Sequence, residues 1–210
     1  MRKIFQVILA VVIVILIYVI YVQIATPINF DKEKAALDQA VIERIKDIRL
    51  AQRAFKVKNQ RFTGDFDSLI NFVLTDSLTM EHKIFDEDDS VGMAQLKKAG
   101  KRNVEKFQVA VIDTVFHPKR LTPAQIKELR YIPGTDKVEY ILQAGRITTE
   151  SKVVIPVVEC RAPYTFYLDT VKYHQEIINL IDNDVNNYNK YPGIKFGSME
   201  GGNNEAGNWE

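Results

Sequence analysis

The chain opens with apolar residues that follow one another without period. From Ile4 to Ala25, "IFQVILAVVIVILIYVIYVQIA", no residue is charged, and Gln6 and Gln23 are the only amides. At ~1.5 Å per residue this stretch predicts a helix of ~33 Å, about one hydrocarbon core. Its many β-branched residues are no obstacle, because lipid forces the backbone to satisfy its own hydrogen bonds. Tyr18 and Tyr21 near the far end suit an interfacial belt. Pro27 marks the end of the span or a kink in it.

Beyond Pro27 the pattern becomes periodic. "FDKEKAALDQAVIERIKDIRLAQRAFKVKNQ" predicts a long amphipathic helix. Leu37, Val41, Ile45, Ile48 and Phe55 lie on one face, with Ala40 and Ala51 beside them. Such a stripe usually packs on its own domain. The alternative is an interaction surface, with Val41, Ile45, Ile48 and Phe55 meeting other membrane-bound chains. "RFTGDFDSLINFVLT" predicts a short helix capped by Asp65. Residues 79–104, with "DEDD" and "KKAGKR", read as a mobile polar connection. "EKFQVAVIDTVF" alternates like a strand. "LTPAQIKEL" carries a capping box at Thr122 and Gln125, with Pro123 at the first helical position.

"KVEYILQAGRI" and "KVVIPVVEC" predict two strands around the polar turn "TTES", with Pro156 at an edge or bulge. "YTFYL" reads as one more strand. "VKYHQEIINLIDNDVNNYNK" predicts a second helix with His174, Ile177, Ile178, Ile181, Val185 and Tyr188 on one face. "IKFGS" reads as a last strand. The expected fold class is α+β: a transmembrane helix continuing into a long amphipathic helix, packed against an antiparallel sheet with additional short helices. The expected domain plan is a cytoplasmic stub at 1–3, a membrane anchor at 4–26 and an α+β domain at 27–210.

Charge gives this plan an orientation. Arg2 and Lys3 precede the span, and the first acidic residue, Asp31, follows it. The positive-inside bias then puts the N-terminus in the cytoplasm and residues 30–210 across the membrane. A cleaved signal peptide is the competing reading, but its apolar core would be unusually long and "YVQIA" is a poor cleavage site. The formal net charge of +1 gives no bulk field for nucleic acid. Cys160 is the only cysteine, so no intrachain disulfide forms. Its apolar run suits a buried thiol.

Motifs for chemistry are scarce. His82, His117 and His174 are far apart and lack metal spacing, and no glycine-rich phosphate cradle follows a strand. The expectation is a non-enzymatic protein. "DNDVNNYNKYPG" begins like a calcium loop at Asp182, Asp184 and Asn186. It fails at Asn187, where a glycine should turn, and at Gly193, where a bidentate glutamate belongs. The C-terminal stretch "EGGNNEAGNWE" predicts a closed loop. Gly201, Gly202 and Gly207 would supply positive φ angles. Asn203, Asn204 and Asn208 would turn onto nearby backbone, and Trp209 would bury its ring against the sheet. A calcium ion on Glu200, Asn203, Asn204 and Glu205 is the alternative means of closure. Calcium affinity falls with ligand charge, so closure without a cofactor is expected.

Taken together, these pieces resemble the type IV pilin and pseudopilin family. Ala54-Phe55 and Asn59-Gln60-Arg61-Phe62 match that family's helix end and following polar turn. Gly207-Asn208-Trp209 matches the end of the major pseudopilin calcium loop, although asparagines stand at 203 and 204 where aspartates are expected. The likeness covers roughly the first eighty and last twenty residues. It implies a membrane-anchored envelope or secretion component that contacts the lipid bilayer and other membrane-anchored proteins, copies of itself included. The chain departs from the family at its start, where residues 1–30 contain neither glycine nor an acid. A periplasmic sensor or ligand-binding module working with a companion membrane protein is the alternative function.

Overall fold

The computed structural model describes residues 2–86, 88, 90–100, 102–117 and 119–210, and gives an α+β architecture. The orienting side chains of Arg2 and Lys3, and parts of the "DEDD" and "KKAGKR" runs, lie outside the described residues. One helix, α1 (Arg2–Asn59), runs unbroken from the apolar span into the domain, with Pro27 inside it. The span is the one stretch among the described residues long and apolar enough to cross a membrane, and its side chains are exposed. Pro27 therefore does not end the helix. It leaves the helix one N–H donor short, and the neighbouring Thr26 hydroxyl donates to the Val22 carbonyl at 2.8 Å.

The domain gathers on the second half of α1. Val41, Ile45 and Ile48 are 0% exposed, and Phe55 and Ala51 are buried with them. They share one core with Phe66, Leu69 and Val73 of α2 (Phe66–Thr75) and with strand residues Val158, Cys160 and Phe196. This corrects the interaction-surface reading of Val41, Ile45, Ile48 and Phe55: the domain's own core covers them, so no partner chain can reach them. Gln52, also fully buried, donates to the Thr63 carbonyl at 2.6 Å and accepts from the Thr63 N–H at 3.2 Å. A buried amide paired on both sides fixes the turn after α1.

The described residues form two antiparallel sheets where one was expected. The first is the pair β1 (Ser77–His82) and β2 (Glu105–Ala110), which brackets α3 (Ser90–Lys98). The described residues of the connection at 79–104 thus include the end of β1 and the helix α3. Leu78 and Met80 stand opposite Val109 and Phe107, so one face of this β1–β2 arm is apolar, and Met80 and Phe107 are exposed. The "VIDTV" part of the expected strand is instead helix α4 (Val111–Val115). The capping box at Thr122 and Gln125 opens α5 (Pro123–Lys127).

The second sheet has the order β3 (Ile141–Thr148), β4 (Val154–Pro163), β5 (Gly193–Gly197). On β4, strand β5 pairs with Glu159–Pro163. Pro156 falls in the half of β4 that β5 does not reach, where its missing N–H disrupts no second ladder. "YTFYL" is not a strand but α6 (Tyr164–Tyr167), whose Tyr164 and Tyr167 turn inward together. The last helix, α7 (His174–Asp182), passes into one π-turn (Asn183–Asn187). Its buried side is Ile177 with Tyr173, whereas Ile178, Val185 and Tyr188 are exposed. The aborted calcium motif is absorbed there: Asn186 donates to Asp182 at 2.6 Å, and Asp184 accepts from the Tyr164 hydroxyl at 3.1 Å.

Candidate functional site

The C-terminal loop leaves β5 and returns to it. The Gly197 N–H donates to the Ala206 carbonyl at 3.0 Å, and the Asn208 N–H to the Lys195 carbonyl at 3.0 Å. The Asn208 side chain closes the return. Its oxygen accepts from the Lys195 N–H at 3.0 Å, and its amide donates to the Gly193 carbonyl at 2.7 Å. Trp209 is half-buried against the core. The loop is therefore closed.

The means of closure differ from those the sequence suggests. Positive φ falls on Asn204 (54°) and Glu205 (53°), not on Gly201, Gly202 or Gly207. Gly207 is required for another reason: a Cβ there would lie 2.5 Å from the Trp209 ring. Of the three asparagines only Asn208 has a side-chain hydrogen bond to backbone among those described.

The loop is held from below by α1. Arg49, Arg53 and Lys56 recur at i, i+4 and i+7 and so share one helix face. Glu205, 9% exposed, takes Arg53 Nε at 3.1 Å on one carboxylate oxygen and Lys56 Nζ at 3.4 Å on the other. Arg53 also donates to the Asn204 carbonyl at 3.3 Å, and Arg49 to the Glu205 carbonyl at 3.2 Å. Arg49 pairs with Glu210 at 2.6 Å and stacks 5.5 Å from the Trp209 ring centroid. That guanidinium holds the Glu210 carboxyl below its ordinary value.

These contacts bear directly on calcium. Both oxygens of Glu205 and the carbonyls of Asn204 and Glu205 already face cations. Glu200 and Asn203 are exposed, and the Glu200 N–H turns to Ser198 at 3.2 Å. Among the described residues no group of three His, Cys, Asp or Glu side chains is placed to hold an ion. A calcium ion on Glu200, Asn203, Asn204 and Glu205 would have to displace the two ion pairs of Glu205.

A cavity of about 400 Å³ lies between the loop and β4, with Lys56, Phe62, Pro156, Gly202, Asn203 and Glu205 in its wall. No family model, curated protein or solved structure matches the chain. The site is thus read from its own chemistry: two carboxylates, Glu205 and Glu210, and the loop carbonyls set against three cations of α1. Arg49, Arg53 and Lys56 were the residues the sequence reading missed. Their i, i+4, i+7 spacing was visible, but their partners lie about 150 positions away, beyond the reach of any local pattern.

Glu205→Gln is expected to lower the stability of the domain by about 1 kcal/mol, since Arg53 and Lys56 are partly exposed and solvent screens them. Thermal unfolding of full-length protein in detergent micelles checks this. The wild-type midpoint should be unmoved by calcium or by a chelator. A calcium-dependent rise would show that the basic face does not by itself close the loop.

Proposed function

We propose that this is a non-enzymatic, pilin-like component of a secretion or envelope-assembly apparatus. In this reading α1 is a single-pass anchor in the bacterial inner membrane, with its N-terminus in the cytoplasm and the α+β domain in the periplasm. The domain docks on other membrane-anchored chains, copies of itself included. The observation that carries the reading is α1 itself. One unbroken helix is both the apolar span and the spine of the domain core, so the domain is held at a fixed height beside its neighbours in the membrane. The Val41–Phe55 stripe is covered, so docking must use other surfaces. The apolar face of the β1–β2 arm, with Met80 and Phe107 exposed, is one that a protein partner would cover.

Affinity purification of the full-length protein from native membranes tests this. Recovery with the same membrane-anchored proteins, lost on Met80→Asp with Phe107→Asp, is the expected result. Recovery as a lone monomer would overturn it.

The cavity beside the C-terminal loop favours a second reading, a ligand-binding module that signals through a companion membrane protein. A ligand that raises the unfolding temperature of wild type but not of Gly202→Leu, which fills the space beside Ile155, would move the balance to it.

A further inference from the structure

The segment that follows α6 packs down the side of α1 in steps. The Tyr167 hydroxyl donates to Asp38 at 2.6 Å. Lys172 pairs with Glu33 at 2.6 Å. The Tyr173 ring meets Phe30 with centroids 5.2 Å apart. The contacts thus descend α1 by about 12 Å, from Asp38 to Phe30, toward the apolar span. At Tyr173 the chain reverses into α7. The far end of that helix is back at the level of Lys34: Lys34 Nζ lies 5.1 Å from the Tyr164 ring, and Tyr164 holds Asp184 just beyond α7. The reversal at 169–173 is therefore the lowest point of this segment.

Its height above the span follows from the helix rise. Phe30 is the first buried side chain along the described part of α1. It stands about 7.5 Å beyond Ala25, the last residue of the uncharged stretch. The headgroup layer on each side of a hydrocarbon core is about 5–8 Å thick. The reversal thus lies at headgroup depth when the span is in place.

The turn exposes one apolar side chain, Val171, near that level. The Asp169 carboxylate accepts from the N–H groups of Val171 at 3.0 Å and Lys172 at 2.9 Å, which fixes the shape of the turn. Val171, two residues before Tyr173, is 91% exposed. Ile28, on α1 just below Phe30, is exposed as well. Lys172 follows Val171 with its charge paired to Glu33, and the exposed Asp169 carboxylate, bonded to backbone N–H groups, stands at the level of polar headgroups.

We propose that the turn Asp169–Tyr173 is a second membrane contact, with Val171 seated among the lipid headgroups beside the anchor. The occupant is the bilayer surface in which α1 itself stands, so contact and anchor are continuous. Two contacts side by side fix the direction in which the domain faces, which a lone helix cannot do. The proposal rests on the anchor reading.

Single nitroxide labels on full-length protein in phosphatidylcholine–phosphatidylglycerol nanodiscs test it. The positions are Val171→Cys, Ile15→Cys inside the span and Val57→Cys at the exposed far end of α1. Cys160 is fully buried, and unlabelled wild type controls for it. Collisions with oxygen and with a water-soluble nickel chelate report depth. The label at 171 is expected to lose nickel contact relative to the label at 57, while the label at 15 is shielded most. Equal nickel contact at 171 and 57, with 15 shielded, would overturn the second contact and leave the anchor standing. Shielding at 57 equal to that at 171 would overturn it too, since the domain would then lie flat. Nickel contact at 15 would overturn the anchor reading and the proposal together.

Discussion

Ile48→Asp is expected to destabilise the domain by about 4 kcal/mol or more, enough to unfold most proteins of ordinary stability. Ile48 has no exposed surface and sits in the single core shared by α1, α2 and the three-stranded sheet. A carboxylate there would have no cation within the apolar cluster and no route to water. The full-length protein in detergent micelles, titrated with denaturant and followed by the emission of Trp209, gives the measurement. The span stays helical in detergent, whereas Trp209 reports the domain. Leu50→Asp, two residues along the same helix but exposed, should change the midpoint by no more than about 0.5 kcal/mol. If Ile48→Asp melted like wild type, the face it shares with Val41 and Ile45 would have to be open, and the packing described above would be wrong.

Gly197→Ala is expected to cost about 3 kcal/mol and to release the C-terminal loop. Gly197 ends β5 at φ +77°, where a side chain is strained. Its Cβ would lie 1.9 Å from the Val158 carbonyl oxygen, and Val158 belongs to the central strand, which cannot move aside without breaking two ladders. The same residue donates to Ala206, so the shift would carry Trp209 with it and move its emission to the red. Gly201→Ala supplies the contrast. Nothing lies within 4 Å of a Cβ at Gly201 and its φ is not positive, so that variant should melt like wild type. Equal destabilisation of the two would show that the loop is not hinged where β5 ends.

Features with a local cause were the ones that could be read from the sequence. Asp65 caps α2 by accepting from the Asp67 and Ser68 N–H groups, and the Thr122–Gln125 capping box depends on residues three apart. The strands around "TTES" lie next to each other in the chain and pair there. Tertiary context overrode local preference elsewhere. "YTFYL" has the aromatic content of a strand, yet as a helical turn it sends Tyr164 and Tyr167 to the same side, and Tyr167 reaches Asp38 on α1. Of the β1–β2 arm, β2 was legible from the alternation at Glu105–Ala110, whereas β1 was missed because its partner lies across a long polar stretch. At the candidate site, closure of the loop and the part played by Trp209 were legible from Gly207-Asn208-Trp209. The clamp was not, because Glu205 meets cations contributed by the opposite end of the sequence.

The passage of α1 through Pro27 has a mechanical consequence. From Ala25 to Asn59 the helix is about 50 Å long, and no flexible joint divides it. Transmembrane helices adjust their inclination as bilayer thickness changes. A change of about 20° at the span would swing the Asn59 end through about 17 Å. Under the anchor reading proposed above, the domain moves as the tip of a lever whose short arm lies in lipid, and small changes in membrane thickness become large displacements of whatever the tip holds.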